Sequence, residues 1–121
     1  MSGRAIQRTV RQSPRKMRLV VDEIRGKDVN QAYAILRFSK KVAARQIEKT
    51  LRSAVANAEQ LALQNDEAFD LDALVVTRAV INEGKTLHRY KPAAQGRATP
   101  IKKRTSHLEI HVQSKSDKES A

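Results

Sequence analysis

The sequence predicts an α+β domain of three helices and a few paired strands, with a long, basic two-stranded arm projecting from it. Three observations carry that prediction. Apolar residues recur at helical spacing in three separate stretches between residues 14 and 63. The spacing then changes to strand-like alternation, once at 74–81 and again at 108–113. Between those two runs, residues 82–107 carry many lysines and arginines and no acid after Glu83.

Taken in order, residues 1–12 place Ile6 and Val10 among Arg4, Arg8 and Arg11, the pattern of a short basic strand. Ser13-Pro14 supplies an N-cap and a first helical residue, and Gly26 a stop. Between them Met17, Val20, Val21 and Ile24 form a buried stripe, with Arg15, Arg18, Asp22 and Arg25 on the opposite face. Asp28 followed by Gln31 reads as a capping box opening a second helix through Phe38, with Ala32, Ile35 and Leu36 turned inward. The third and longest helix is expected over 39–63. Ala43, Ile47, Leu51, Ala54, Ala58 and Leu61 line its inner face, flanked by Ala44, Val55 and Ala62, while Arg45, Lys49 and Arg52 lie opposite. Its alanines favour helix and permit close approach to a second layer. Residues 64–72 form an acidic connection. Leu74 to Ile81 is rich in β-branched residues, and Leu108, Ile110 and Val112 alternate with Glu109, His111 and Gln113, so these runs pair as strands. A single domain over 1–113 and a polar, flexible tail over 114–121 complete the expectation.

The 121 residues are enough for one modest core. With 40% hydrophobic residues but only two Tyr, two Phe and no Trp, that core must be aliphatic and alanine-rich. The absence of cysteine excludes disulfides and thiolate metal sites, as expected for a reducing compartment. Residues 1–18 are studded with arginine and do not read as a signal peptide, and no run approaches the ~20 apolar residues of a membrane span. A cytoplasmic protein without membrane contact is expected.

The net charge of +11 is unevenly distributed. Residues 1–27 hold eight bases and two acids, net +6; residues 85–104 hold seven bases and no acid, net +7. The stretches 28–84 (seven bases, eight acids) and 105–121 (two bases, three acids) are each net −1. Two basic blocks on a near-neutral scaffold point to a polyanion, and nucleic acid is the usual one.

Residues 82–107, NEGKTLHRYKPAAQGRATPIKKRTSH, contain too few apolar side chains to fold around a core of their own. With paired flanks they extend as a two-stranded arm turning near residues 91–96, where Pro92 and Gly96 suit a turn. Arms of about ten residues at ~3.3 Å each would project roughly 30 Å. Isolated hairpins are marginal in water, and seven like charges repel, so a phosphate-lined environment is expected to order the arm. A solvated basic linker is the competing reading; the internal position and the lack of balancing acids disfavour it. Arginines on the first helix also fit an ordinary charged surface. Tyr90 either stacks on a base or rests on the arm's own backbone.

No phosphate loop, dinucleotide fingerprint or zinc spacing is present. His107 and His111 on one strand would lie ~13 Å apart, too far to share a metal. Asp66, Asp70 and Asp72 read as a solvated acidic loop. No nucleophile has an evident base, so no catalysis, cofactor or metal is expected.

At this point INEGKTLHRYKPAAQGRATPIKKRTSHLEI resembles the signature of the ribosomal protein L twenty-two family, bacterial type. SPRKMRLVVDEIRGK and KTLRSAVANAE resemble its first and third helices, and the likeness extends from about Arg4 to Val112. The resemblance implies three helices packed on a small antiparallel sheet. It implies a structural constituent of the large ribosomal subunit that binds ribosomal RNA during assembly, its hairpin lining the nascent-peptide exit tunnel. Implied partners are large-subunit RNA, neighbouring ribosomal proteins including the second tunnel protein (ribosomal protein L four), and the nascent peptide in passing, with no homo-oligomer.

Combined with the charge map, the RNA-binding candidates are Arg4, Arg8, Arg11, Arg15, Lys16, Arg18, Arg25 and Lys27 in the first block. In the second they are Lys85, Arg89, Lys91, Arg97, Lys102, Lys103 and Arg104, followed by Thr105, Ser106 and His107. The tunnel-facing tip implied by the resemblance is Tyr90, Lys91, Pro92, Ala93, Ala94, Gln95 and Gly96. Many relatives carry a cation where Ala93 stands, so no role is assigned to a cation at that position. The competing function is an architectural DNA-binding protein with a basic β-arm, a class that usually dimerises. An RNA-modifying enzyme with a docking arm is disfavoured by the missing cofactor motif.

Overall fold

The computed structural model describes residues 2–115. The order of elements is β1 (Ser2–Val10), α1 (Pro14–Ile24), α2 (Val29–Phe38), α3 (Ala43–Gln64), β2 (Leu74–Glu83), β3 (Leu87–Pro92), β4 (Ala98–Lys103) and β5 (Ser106–Ser114). Strands β1, β5 and β2 form an antiparallel sheet with β5 in the centre, and β3 and β4 form a separate two-stranded sheet. The expected α+β class, three helices and protruding hairpin are all present. No helix among the described residues is long and apolar enough to cross a membrane.

One face of the sheet is covered. Along β5, Leu108, Ile110 and Val112 are fully buried while His107, Glu109, His111 and Gln113 alternate on the open side. Helix α3 packs across β1 and β5, and α1 packs against β2. The α1 stripe of Met17, Val20, Val21 and Ile24 is wholly inaccessible. Ser13 caps this helix, its hydroxyl accepting from Lys16 N at 3.4 Å. The fully buried centre is aliphatic; Tyr33 and Phe69 only pack against its margin.

The alanines of α3 bring helix and sheet unusually close. A Cβ on Gly3 would overlap the Ala54 carbonyl oxygen and lie 2.6 Å from Ala58 N. Where α3 comes closest only small residues fit, so Gly3 and Ala5 face the helix, Ile6 turns outward, 43% exposed, and Gln7 further along reaches Gln46 and Thr50 of α3. Two irregularities then reset the alternation. One lies between Gln7 and Val10 in β1 and returns Val10 to the core; the other, between Val76 and Arg78 in β2, keeps Val76 and Ala79 both inside and Arg78 outside.

Four sequence expectations need correction. Asp28 makes no side-chain cap to α2; its backbone bridges to Val75 and its carboxylate lies 3.5 Å from Lys115 Nζ. Helix α3 begins at Ala43 rather than 39, because residues 39–42 are spent reversing the chain after α2. Leu61 is 44% exposed and Ala62 buried in its place, since the helical seam drifts as α3 runs on. Ser114 belongs to β5, paired with Leu74 and buried, and so is not part of a flexible segment. The rest of that segment, 116–121, lies outside the described residues.

Candidate nucleic-acid interface

The arm grows directly out of β2 and β5. Their pairing runs to Glu83 opposite Ser106, and the backbone link continues with Gly84 N donating to Thr105 O at 2.9 Å. There the ladder is interrupted. Thr105 Oγ1 donates across the gap to Lys85 O at 2.6 Å, and Gly84 leaves room for it: a Cβ there would meet Thr105 Oγ1 at 2.5 Å. Ser106 Oγ donates to Gln12 O at 2.6 Å, tying the root to the chain before α1. His107 Nδ1 accepts from Thr9 N at 3.0 Å, tying it to β1.

Beyond the root, β3 and β4 pair from Leu87 opposite Lys103 to Pro92 opposite Ala98. Six paired residues per strand span about 20 Å. The chain turns over 93–97, with Ala93 N donating to Arg97 O at 2.8 Å and Gln95 and Gly96 at φ 62° and 69°. Directly opposed residues share a face. Arg89, Lys91 and Lys103 therefore project together with Leu87, Thr99 and Ile101, while His88, Tyr90, Pro92, Ala98, Pro100 and Lys102 project from the other side. Leu87 and Ile101 are the only half-buried residues of these two strands. Tyr90 is 71% exposed, with Pro100 as its cross-strand neighbour. Among the described residues, none of the seven arm cations forms an ion pair.

Further exposed cations come from the first block, on β1, α1 and the chain between them. Arg4 lies opposite His111 on the open side of the sheet, where Glu109 accepts from His111 at 2.7 Å and is held below the usual carboxylate range by that hydrogen bond. The positive charges of Arg78 and Arg4 add to this shift. Arg8, Arg11, Arg15 and Lys16 are all exposed.

The whole body and arm correspond to one known protein family: residues 5–113 match Ribosomal protein L22p/L17e. The chain belongs to that family. A relative from Oceanobacillus iheyensis, named large ribosomal subunit protein uL22, is 48% identical over 117 residues, covering 97% of this chain and 99% of the relative. The family's matched region contains the arm, its root and nearly all of these cations.

The residues singled out in the sequence fall into two groups within this family fold. Most of the cations are exposed and point away from the core. Arg18 and Arg25 are half-engaged instead: Arg18 Nη2 donates to Ile81 O at 3.1 Å and Arg25 to Ala79 O. Thr105 and Ser106 are not surface groups. They are 2% and 0% exposed, their hydroxyls are spent inside the protein, and what they do is fix the root of the arm. Gly84, Gln12 and Thr9, which complete that root, carried no signal of their own in the sequence, because their role exists only once β1, β2 and β5 have come together.

Proposed function

We propose that this chain is a structural constituent of the large ribosomal subunit, binding and organising ribosomal RNA during assembly in the cytoplasm, without catalysing a reaction. The arm cations Lys85, Arg89, Lys91, Arg97, Lys102, Lys103 and Arg104 neutralise closely spaced phosphates from several RNA segments. The body cations Arg4, Arg8, Arg11, Arg15 and Lys16, with Lys27 and the free N–H groups of Arg18 and Arg25, make further RNA contacts. Phosphate contacts fix position rather than read sequence, so specificity comes from RNA shape. The tip, residues 90–96, lines the exit tunnel beside the second tunnel protein and meets the nascent peptide in passing.

One observation carries this reading. Seven cations with no ion pair among the described residues lie along the arm, four on its two strands, one in its turn and two at its root, and the ribbon packs against no core, a shape that gains nothing until polyanion surrounds it. The family and the name of the 48% identical relative support the large subunit as the setting. The test is co-sedimentation with large ribosomal particles after a high-salt wash, for the full chain and for a chain lacking residues 85–104. The full chain should stay bound and the armless chain should fold yet wash off or leave an altered tunnel wall. Release of the full chain together with duplex DNA binding of equal strength at ~0.2 M salt would overturn the reading.

A further inference from the structure

The near-neutral middle of the chain is strongly polarised. Between residues 37 and 52 lie Arg37, Lys40, Lys41, Arg45, Lys49 and Arg52 against a single acid, Glu48. Residues 53–77 then hold five acids, among them Glu59 and Asp66, and no base. Helix α3 spans this change. At 22 residues it is about 33 Å long, so its two ends are well beyond a Debye length apart at physiological salt. The one acid of the basic end is already committed, Glu48 to Arg52 at 2.8 Å.

At that basic end the surface is concave. Gln12, Lys16, Leu19, Lys40, Lys41 and Val42 line a groove of about 370 Å³ between α1 and the α2–α3 connection. Leu19 and Val42 are 54% and 69% exposed. The three lysines are exposed, and among the described residues none of them is ion-paired. Three unneutralised ammonium groups from two elements, around an apolar floor, form an arrangement with a definite complement. A hydrated small anion would gain nothing from Leu19 and Val42, and an apolar peptide would leave the lysines unanswered. A sugar–phosphate backbone matches both, the phosphates meeting the lysines and the ribose and base faces meeting the aliphatic floor.

We propose that this groove is a further RNA-backbone contact, which shares Lys16 with the body cations named above and adds Lys40 and Lys41 as its principal phosphate ligands. The inference rests on the reading that the chain binds ribosomal RNA. It adds an orientation: the basic end of α3 enters the RNA, and the acidic end, with Glu59 and Asp66, faces away.

The chain's lack of cysteine makes a direct test possible. Single variants Val42→Cys and Asp66→Cys, each carrying a tethered iron chelate, are assembled into large-subunit particles, and hydroxyl-radical cuts in the RNA are mapped. Cuts from position 42 with none from position 66 are expected. In parallel, the double variant Lys40→Glu/Lys41→Glu is titrated against large-subunit RNA across a salt series. Its affinity should fall roughly tenfold or more, and the slope of log K against log salt should shrink by about two. Circular dichroism checks that it folds. An arm variant, Arg89→Ala/Lys91→Ala/Lys103→Ala, serves as the reference. Should the arm variant lose affinity while Lys40→Glu/Lys41→Glu binds normally, or should position 42 cut no RNA, the groove is not an RNA site though the broader reading stands. Should neither variant change RNA binding, the broader reading falls and this one with it.

Discussion

The guanidinium of Arg25 holds the single carbonyl of Ala79 with two nitrogens, Nε at 3.2 Å and Nη2 at 2.7 Å. Two helical turns earlier, Arg18 does the same for Ile81 with one, at 3.1 Å. Both acceptors lie on β2, an edge strand whose outer side would otherwise offer a row of bare carbonyls. The backbone completes the cover: Gly26 N donates to Val76 O at 3.0 Å and Val76 N to Lys27 O at 2.9 Å. A helix face that reads as an ordinary arginine stripe is thus partly a side-chain seal on a sheet edge.

Arg25→Ala should therefore cost about 1 kcal/mol, the net worth of such a hydrogen bond, because the side chain is half exposed and water can replace part of what is removed. A fall of roughly 4 °C in Tm is expected. Arg25→Lys should recover only part of it, since an ammonium cannot present the fork. The uncovered edge should also self-associate at high concentration, which size-exclusion chromatography would register. A variant as stable and as monomeric as the parent would show that the edge needs no seal.

Much of this was legible in the sequence, and the boundary of legibility has a physical cause. The α1 stripe, the β5 alternation and the hairpin were readable because each is a local periodicity or a local charge excess. The inward turn of Gly3 and Ala5, with Ile6 left outside, was not readable, because it depends on how near α3 approaches. The cations of the candidate site were legible as a block. Which of them are engaged elsewhere was not: Arg18 and Arg25 meet carbonyls 63 and 54 residues away. The burial of Thr105 and Ser106 likewise depends on partners at distant positions.

The root of the arm gives a coupled prediction. Gly84→Ala places a methyl group against Thr105 Oγ1 and should cost about 1–3 kcal/mol as an overpacked site. Thr105→Ala should cost about 1 kcal/mol by leaving Lys85 O without its donor. The double variant should be less destabilised than the two costs together, by ~0.5 kcal/mol or more, because the second change removes the atom the first collides with. Urea unfolding measures the coupling, and additive costs would mean that Gly84 and Thr105 do not oppose each other.

Thr9 is a β-branched residue held at φ 58°, at the irregularity of β1. That conformation costs on the order of 1 kcal/mol or more, and its N–H is used by His107. Thr9→Gly keeps the N–H and removes the strain, so a gain of about 1 kcal/mol in stability is expected. His107→Ala should cost about 0.5–1 kcal/mol, because the bond is exposed and water can take the Thr9 N–H. Destabilisation by Thr9→Gly in thermal melts would locate the strain elsewhere.

Acid should act partly through Glu109. Its pKa is lowered chiefly by the hydrogen bond from His111, against a smaller opposing effect of desolvation, with Arg78 and Arg4 assisting. A depressed folded-state pKa stabilises the fold above the ordinary glutamate value of about 4.3, and that contribution is lost as pH falls through the lower folded value. Glu109→Gln keeps an acceptor for His111 but cannot titrate. Its urea midpoint should fall less between about pH 5 and pH 3 than that of the parent chain; identical declines would remove Glu109 from the acid response.

The two faces of the arm should behave differently toward RNA. Arg89, Lys91 and Lys103 share one face, whereas the other carries Lys102 alone among His88, Tyr90 and the two prolines. Neutralising the first three should reduce the salt dependence of RNA binding by about three in slope, close to one for each phosphate no longer neutralised. Tyr90→Ala should leave the slope untouched, since no charge changes, and lower affinity by about 1–3 kcal/mol where the ring stacks on a base. The two effects should add, because residues on opposite faces of a thin ribbon share no partner. A slope that falls equally for Lys102→Ala and for each of the three would mean that phosphate surrounds the arm evenly, and that its register does not sort its contacts.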